Sequence, residues 1–127
     1  MEIAIFENEF RAIKTSFDGF NLLYFDNKLE YKVFPSSQDF GDLKNLSDYA
    51  YVIIDIDLSI KSTLDGFQLL EEMKRLELDS MKIMILTGHI AIKDRLKALN
   101  LPDYPIIPKP ISLTKIKDAF DFYGLSL

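Results

Sequence analysis

Side chains that can do chemistry follow four of the short apolar runs in this 127-residue sequence. They stand in the segments Glu7-Asn8-Glu9, Asp55-Ile56-Asp57, Thr87-Gly88-His89 and Pro108-Lys109-Pro110. A carboxylate can act as a nucleophile and form an aspartyl phosphate, and Mg2+ bound by carboxylates screens the approach of an anionic phosphoryl donor. A Lys ammonium can pair with one phosphoryl oxygen, and a Thr hydroxyl can donate a hydrogen bond to another. Together the four segments are suited to phosphoryl transfer onto a carboxylate.

Five apolar runs alternate with five helical patterns, an order that brings these segments to one edge of a sheet. The apolar runs are Ile3–Phe6, Tyr31–Phe34, Tyr51–Ile54, Ile83–Leu86 and Tyr104–Ile107. The helical patterns are Phe10–Tyr24, Gln38–Leu46, Phe67–Leu76, Ile92–Leu99 and Leu113–Tyr123, with Asp65 and Ser112 as predicted N-caps. This alternation predicts an α/β fold, a five-stranded parallel sheet in the order 2-1-3-4-5 with helices on both faces. In such a sheet a ligand binds beyond the carboxyl ends of the strands.

Composition excludes several classes of protein. The chain has 15 Lys plus Arg and 20 Asp plus Glu, and this net charge of −5 argues against a broad electrostatic grip on nucleic acid. It has no Cys, so disulfide frameworks and thiol nucleophiles are excluded. No apolar stretch approaches the roughly 20 residues needed to cross a bilayer, and the acidic N-terminus is unlike a signal peptide. We therefore expect a single domain over residues 1–127, cytoplasmic and without membrane or nucleic-acid partners.

Four motifs give the chain a likeness to a known family. They are Val52-Ile53-Ile54-Asp55, Asp65-Gly66, Ile83-Met84-Ile85-Leu86-Thr87-Gly88 and Lys109-Pro110. Together with the polar residues after the first strand, they resemble the CheY-like receiver domain of two-component response regulators. The resemblance runs from Ile3 to Tyr123 and implies the flavodoxin-like fold predicted above. It leads us to expect a stand-alone receiver without an output domain.

The resemblance implies how a phosphoryl group is received and read. Asp55 corresponds to the phosphoacceptor, Thr87 to the switch hydroxyl and Lys109 to the base that pairs with the phosphate. The peptide bond between Lys109 and Pro110 is implied to be cis, an isomer that proline makes accessible. The phosphoryl group is implied to come from a sensor histidine kinase or a histidine phosphotransfer protein. The readout is implied to be binding to an unknown downstream protein.

A Mg2+ site is implied as well. Its ligands correspond to Glu7, Asn8, Asp55 and the backbone carbonyl of Asp57. The family's usual acidic pair is Glu7-Asn8 here, a change that removes one formal charge and introduces a longer side chain. An amide oxygen can still bind a hard cation, so Mg2+ is kept as the expected cofactor.

Two aspartates compete for the role of acceptor. Asp57 precedes Asp65 by 65 − 57 = 8 residues, which is nearer to the family's usual spacing than the 65 − 55 = 10 residues of Asp55. The stretch before Gly66 is longer than the usual loop, and Ser59 replaces its usual proline. Choosing Asp57 places Asp55 inside the strand, where an unpaired carboxylate is costly to bury. That cost favours Asp55, with Asp57 kept as the alternative.

Two other functions stay open beside the phosphorylated switch. Glu7-Asn8, and Ile106 where the family has an aromatic switch residue, also suit a degenerate receiver that is never phosphorylated and serves as an interaction module. The segment Asp55–Ser59, with Thr87 and Lys109, resembles the motifs of haloacid-dehalogenase-type phosphatases, in which the second Asp is a general acid/base. That family places its first motif on an early strand, which makes an enzyme the less favoured hypothesis.

The resemblance also implies where the phosphorylated state is read. The output face is formed by the last two helices and the fifth strand, and here it is expected to include Ile92, Arg95, Ile106, Lys115 and Lys117. Phosphate charge would draw Thr87 and Lys109 inward and reorganise that face. Two copies of the chain can pair through it. His89, the single histidine, is interpreted as a loop residue at the rim of the pocket.

Overall fold

Five parallel strands and four α-helices make up the fold in the computed structural model, which describes residues 1–125. The strands are β1 (Glu2–Phe6), β2 (Glu30–Phe34), β3 (Tyr51–Asp55), β4 (Ile83–Thr87) and β5 (Ile106–Pro108). The helices are α1 (Phe10–Phe25), α2 (Gly66–Arg75), α3 (Ile92–Ala98) and α4 (Leu113–Asp121). The strands pair in the order β2-β1-β3-β4-β5. The predicted fold class and strand order are confirmed.

Helices cover both faces of the sheet, and the two cores follow from the alternation of side chains along each strand. Val52 and Ile54 of β3 lie in a core with residues of α2 and α3, while Ile53 lies in the opposite core with residues of α1 and α4. Every residue of β3 and β4 is buried, as their continuous apolar runs predict for strands covered on both sides. Each fully buried aliphatic side chain contributes roughly 1.5–3 kcal/mol to folding.

The predicted N-caps of two helices are confirmed. The Asp65 side chain accepts a hydrogen bond from the backbone N–H of Gln68, and the Gln68 side chain accepts one from the backbone N–H of Asp65, which completes a capping box at the start of α2. The Ser112 hydroxyl accepts a hydrogen bond from the backbone N–H of Lys115 at the start of α4. Both helices begin close to the carboxyl edge of the sheet, so the caps fix the chain near the site.

The predicted helix over Gln38–Leu46 is wrong. The segment forms two 3-10 turns, Ser37–Asp39 and Leu43–Asp48, separated by Gly41 with a φ of 91°. A positive φ is accessible to glycine and interrupts a right-handed helix. The Asp42 side chain also accepts a hydrogen bond from the backbone N–H of Lys44, which favours a turn over an α-helix.

The fifth strand lies later than the predicted Tyr104–Ile107. It spans Ile106–Pro108, and Tyr104 packs in the core instead, where its hydroxyl donates a hydrogen bond to the carbonyl of Asp79 over 2.8 Å. Pro105 joins the sheet only through its carbonyl, which accepts from the N–H of Ile85. Within residues 1–125, no helix combines the length and apolar character needed to cross a membrane.

Candidate functional site

The four predicted segments meet at the carboxyl edge of the sheet. Asp55 is the last residue of β3 and Thr87 the last of β4, and Asp55 pairs in register with the residue before Thr87. Glu7 follows β1 directly, and its N–H donates to the carbonyl of Phe34 on β2. Lys109 follows β5, and its N–H donates to the carbonyl of Thr87 over 2.8 Å. Parallel pairing therefore brings residues from four strands to one place.

Lys109 contacts two buried carboxylates. Its Nζ lies 3.1 Å from Oδ2 of Asp55 and 3.1 Å from Oε2 of Glu7. Asp55 is 1% exposed and Glu7 2% exposed, while the Lys109 side chain is 35% exposed and reaches in from the rim. The Glu7 Oε1 atom accepts from the backbone N–H of Glu9, whereas Oε2 contacts the Lys109 ammonium without hydrogen-bond geometry.

Burial and charge shift the pKa values of Glu7 and Lys109. Burial raises the pKa of Glu7 above its ordinary value of 4.5, and the neighbouring charge of Asp55 raises it further. The N–H of Glu9 and the ammonium of Lys109 oppose that rise without cancelling it. For Lys109, burial lowers the pKa, but the hydrogen bond and the charge of Asp55, together with Glu7, outweigh burial and leave the pKa raised. Lys109 therefore stays protonated between the two acids.

The two candidate acceptors lie in different surroundings. The Asp55 carboxylate is buried, with Oδ2 facing Lys109 and Oδ1 accepting from the backbone N–H of Asp57 over 3.0 Å. The Asp57 side chain is 63% exposed and turns away, with Oδ2 placed 2.7 Å from Nε2 of His89. Burying Asp55 at the strand end is tolerable because Lys109 and the Asp57 N–H supply the partners that an isolated carboxylate would lack.

Thr87 is buried beside the acceptor, and its hydroxyl oxygen accepts from the backbone N–H of His89 over 3.0 Å. His89 lines an open cleft of about 550 Å3 together with Asp57 and Arg95, whereas Asp55, Thr87 and Lys109 do not line it. The interpretation of His89 as a loop residue at the rim of the phosphate pocket therefore stays a prediction. The contact between His89 and Asp57 had no signal in the sequence, because 32 residues separate the two. The peptide bond between Lys109 and Pro110 is cis, as the resemblance implies.

Gly66 has a steric role that motif matching alone did not explain. A Cβ at this position would lie 2.4 Å from the Cα of Ile56 and 2.6 Å from the carbonyl oxygen of Asp55. Side chains do not approach backbone atoms this closely, so only glycine fits here. The N–H of Gly66 also donates to the carbonyl of Ile56 over 3.2 Å. The start of α2 is therefore held directly against the strand end that carries Asp55.

The donor set fits a hard divalent cation in part. Glu7 Oε2 is a buried carboxylate oxygen that contacts Lys109 without hydrogen-bond geometry, and Asp55 supplies a second carboxylate. Among residues 1–125, no three Asp, Glu, His or Cys side chains are grouped closely enough to hold a metal ion. A Mg2+ ion here would need amide, carbonyl or water oxygens as well, which Mg2+ accepts readily. Asn8 is exposed next to Glu7, and the carbonyl of Asp57 follows the acceptor.

Two residues expected on the output face do not lie there. Ile92 is buried in the core between the sheet and α3. Lys117 turns towards α1, where its Nζ lies 5.6 Å from the centre of the Tyr24 ring and pairs with Asp121. The sequence spacing placed both residues on the correct helices, but it did not resolve the side of the helix that faces the neighbouring element.

The other three expected residues are partly or fully exposed. Arg95 is exposed, and its guanidinium lies 4.7 Å from the centre of the Phe67 ring on α2. Lys115 donates to the carbonyl of Pro110 over 2.6 Å, and Ile106 is half-buried in β5. The positively charged side chains of Arg95 and Lys115 are therefore already engaged in contacts within the protein on this face.

Comparison with known proteins assigns the chain to a family. A family model described as the response regulator receiver domain matches residues 18–121, which is most of the chain. The chain belongs to the receiver domain family of two-component response regulators. Receiver domains are phosphoacceptor signalling domains rather than enzymes in the ordinary sense. A comparison with curated protein sequences gave no significant match.

Solved structures of response regulators share the fold. The bacteriophytochrome response regulator RtBRR superposes with a TM-score of 0.79 at 17% identity, covering 99% of this chain and 79% of that one. The bacteriophytochrome response regulator AtBRR gives 0.77 at 18% identity, covering 99% and 94%. The receiver domain of NtrX from Brucella abortus gives 0.69 at 24% identity, covering 98% and 99%. Because these sequence identities are low, the similarity to the three structures shows a shared fold and nothing more specific.

Proposed function

We propose that the chain is a phosphoacceptor switch of a two-component phosphorelay, with Asp55 as the acceptor. The observation that carries the proposal is the contact of the buried Asp55 carboxylate with Lys109, at the sheet edge that Glu7 and Thr87 also reach. In this proposal residues 1–127 act as one receiver domain in the cytoplasm. A sensor histidine kinase or a histidine phosphotransfer protein supplies the phosphoryl group, and a downstream protein reads the result.

In phosphoryl transfer to Asp55, the protein mainly positions the reacting groups and stabilises their charges. A carboxylate oxygen of Asp55 attacks the phosphorus of an N-phosphohistidine, the P–N bond breaks, and its electron pair remains on the imidazole nitrogen. The product is an acyl phosphate on Asp55. Lys109 is already 3.1 Å from the carboxylate and pairs with a phosphoryl oxygen, while the Thr87 hydroxyl donates to another.

Mg2+ is part of the proposal. Glu7, Asn8, Asp55 and the carbonyl of Asp57 would hold the ion, which supplies positive charge against the incoming phosphoryl oxygens. Lys109 must then share Glu7 and Asp55 with a second cation, since its ammonium contacts both carboxylates. The buried Oε2 of Glu7, whose contact with the Lys109 ammonium lacks hydrogen-bond geometry, supports a place for that cation.

Phosphorylation of the pure protein tests the proposal. Incubation with Mg2+ and acetyl phosphate is expected to add about 80 Da, the mass of one phosphoryl group, in intact-mass spectrometry. Asp55→Asn is expected to abolish the adduct, whereas the matched variant Asp57→Asn, which alters an exposed carboxylate, is expected to retain it. No adduct on the wild type, or an equal adduct on Asp55→Asn, contradicts Asp55 as the acceptor.

A degenerate receiver is the second candidate, and the exposed Asn8 with its neutral side chain is the observation that favours it. In that case the ion pair of Glu7 with Lys109 stands in for a metal, and the chain acts as a constitutive interaction module. Titration with Mg2+ and beryllofluoride, followed by NMR shifts, separates the two candidates. If the NMR shifts do not change at millimolar Mg2+, the result favours the interaction module. We do not propose a phosphatase, because the Asp57 carboxylate contacts His89 at the surface.

A further inference from the structure

The long loop after the acceptor does not project freely into solvent but is bonded to the turn that follows β2. The backbone N–H of Ser37 donates to the hydroxyl of Ser62 over 2.9 Å, and the N–H of Leu64 donates to the hydroxyl of Ser37 over 3.0 Å. These contacts join residues 25 and 27 positions apart. The turn Ser37–Asp39 and the loop residues 59–64 therefore form one bonded surface, which we call the ledge.

Gln38 completes the ledge by acting as a bridge between two loop residues. Its Nε2 donates to the carbonyl of Lys61 over 2.7 Å, and its Oε1 accepts from the N–H of Thr63 over 2.8 Å. A single amide side chain thus bonds the loop backbone on either side of Ser62. The segment for which an α-helix was predicted instead offers hydrogen-bonding groups to the loop.

The apex of the ledge carries an isoleucine that is fully exposed. Ile60 makes no contact that removes it from solvent, yet its neighbours are held in a turn. The N–H of Ser62 donates to the carbonyl of Ser59 over 2.8 Å, and the N–H of Lys61 donates to the Ser59 hydroxyl over 3.2 Å. Local bonds and the bridge to the turn together hold the backbone on either side of this exposed apolar residue.

The base of the loop is attached to the acceptor itself. The N–H of Asp57 donates to Oδ1 of Asp55, and the N–H of Gly66 donates to the carbonyl of Ile56. Gly66 also lies against the backbone of Asp55 and Ile56, so the far end of the loop packs on the same strand end. Both ends of the loop are therefore bonded at the strand end that carries Asp55, the first through the Asp55 side chain and the second through the backbone of Ile56.

We propose that the ledge reports the state of Asp55, as a conformational output separate from the face formed by α3, β5 and α4. The inference rests on the proposed function, since it takes phosphorylation of Asp55 as the input. The carboxylate loses its full charge when it becomes an acyl phosphate, so the Asp57 N–H exchanges a charged acceptor for a neutral one or for a phosphoryl oxygen. The loop then shifts at its first residue, and the bonds of Ser37 and Gln38 to the loop rearrange.

Amide hydrogen exchange followed by mass spectrometry tests this coupling on the whole chain. Binding of Mg2+ and beryllofluoride, a phosphoryl mimic, is expected to change exchange in residues 37–39 and 61–64 by about fivefold, the effect of gaining or losing one hydrogen bond. A change in amide exchange at residues 87–89 is the internal control that shows that the mimic has bound. A response there with unchanged exchange at the ledge overturns the inference and leaves the proposed function standing.

Variants of the ledge provide the second arm. Ser62→Ala and Gln38→Ala remove bonds between the turn and the loop, so the ledge amides are expected to exchange about fivefold faster and to lose their response to beryllofluoride. Phosphorylation by acetyl phosphate is expected to persist, because neither residue touches Asp55. Ser47→Ala is the matched control, since among residues 1–125 the Ser47 hydroxyl bonds only within its own turn, to the carbonyl of Lys44. Exchange in Ser62→Ala equal to that of the wild type overturns the inference.

A third arm needs no phosphorylation. Asp55→Ala removes the acceptor of the Asp57 N–H, and faster exchange at residues 61–64 is expected without any ligand. If the wild type fails to bind the mimic, the proposed function falls while this arm still decides whether Asp55 and the ledge are coupled. Unchanged exchange at residues 61–64 in Asp55→Ala overturns the coupling.

Discussion

The ammonium of Lys109 and the carboxylate of Asp55 lie 3.1 Å apart, although 54 residues separate them in the chain. Parallel pairing of β3 with β4 and of β4 with β5 brings the two strand ends together. The contact gives a buried carboxylate its counter-charge and leaves a reactive group with limited access to solvent. Glu7 shares the same ammonium, so one cation balances two acids.

Removal of that cation is expected to destabilise the fold. Lys109→Met keeps most of the side-chain volume but leaves Asp55 and Glu7 buried without a counter-charge. We expect a loss of about 2 kcal/mol in the free energy of unfolding, below the cost of breaking a fully buried pair because Lys109 is partly exposed. Urea denaturation in the absence of divalent cations measures it.

Lys93→Met is the control for this prediction. Lys93 pairs with Asp103 over 2.7 Å, but both side chains are exposed, and an exposed pair contributes no more than about 1 kcal/mol. Equal losses in Lys109→Met and Lys93→Met contradict the view that the buried carboxylates depend on Lys109.

Glu7→Gln is expected to stabilise the protein at neutral pH. The pKa of Glu7 in the folded chain is raised above 4.5, mainly by burial, so between the two values the folded state binds more protons than the unfolded state. The contribution of Glu7 to stability is therefore complete below pH 4.5 and is lost as the pH rises through the folded pKa. Gln resembles the protonated acid and removes that loss, so the variant and the wild type should converge only at acidic pH.

Urea titrations over a range of pH, with a chelator present, check the sign. Glu9→Gln is the matched control, because Glu9 is an exposed acid two residues away. If the wild type instead becomes more stable relative to Glu7→Gln as the pH increases from 4.5, the pKa of Glu7 is not raised.

Gly66→Ala is expected to destabilise the protein by about 3 kcal/mol, because the added Cβ collides with backbone rather than with a movable side chain. The atoms in its way are the Cα of Ile56 and the carbonyl oxygen of Asp55, so the acceptor must shift as well. Gly88→Ala is the control, since its Cβ would meet only the Cβ of Lys109 at 3.9 Å. Thermal and urea unfolding distinguish the two, and equal stabilities contradict the steric argument.

The sequence predicted the parts of the fold that depend on strong local patterns. The apolar runs of β3 and β4, the helical pattern of α1 and the caps Asp65 and Ser112 each identify an element without knowledge of its neighbours. The alternation of strands with helices along the chain then predicts the sheet order and the edge of the sheet at which Asp55 and Lys109 meet. These inferences hold because a fully buried parallel strand admits almost no polar residue.

The features that were missed depend on contacts between distant residues or on the side of a helix that faces a neighbour. The apolar residues of the connection after β2 recur every three positions, at Phe40, Leu43, Leu46 and Tyr49, which suits the three residues per turn of a 3-10 helix better than an α-helix. That spacing was available in the sequence. The bonds of Ser37 and Gln38 to the loop were not, because no local pattern signals them.

Asn21 supports a final prediction, at the opposite edge of the sheet from Asp55. This residue of α1 is buried, its Nδ2 donates to the carbonyl of Leu29 and its Oδ1 accepts from the N–H of the same residue, each over 3.0 Å. Asn21→Ala leaves both backbone groups of Leu29 without partners in a buried position, and we expect a loss of about 3 kcal/mol in the free energy of unfolding. Asn45→Ala, at an exposed position, is expected to change it by less than about 0.5 kcal/mol. Because Asn21 lies far from Asp55, phosphorylation by acetyl phosphate should persist in the fraction of Asn21→Ala that stays folded. If Asn21→Ala is as stable as Asn45→Ala, the two hydrogen bonds of Asn21 do not have the role given to them.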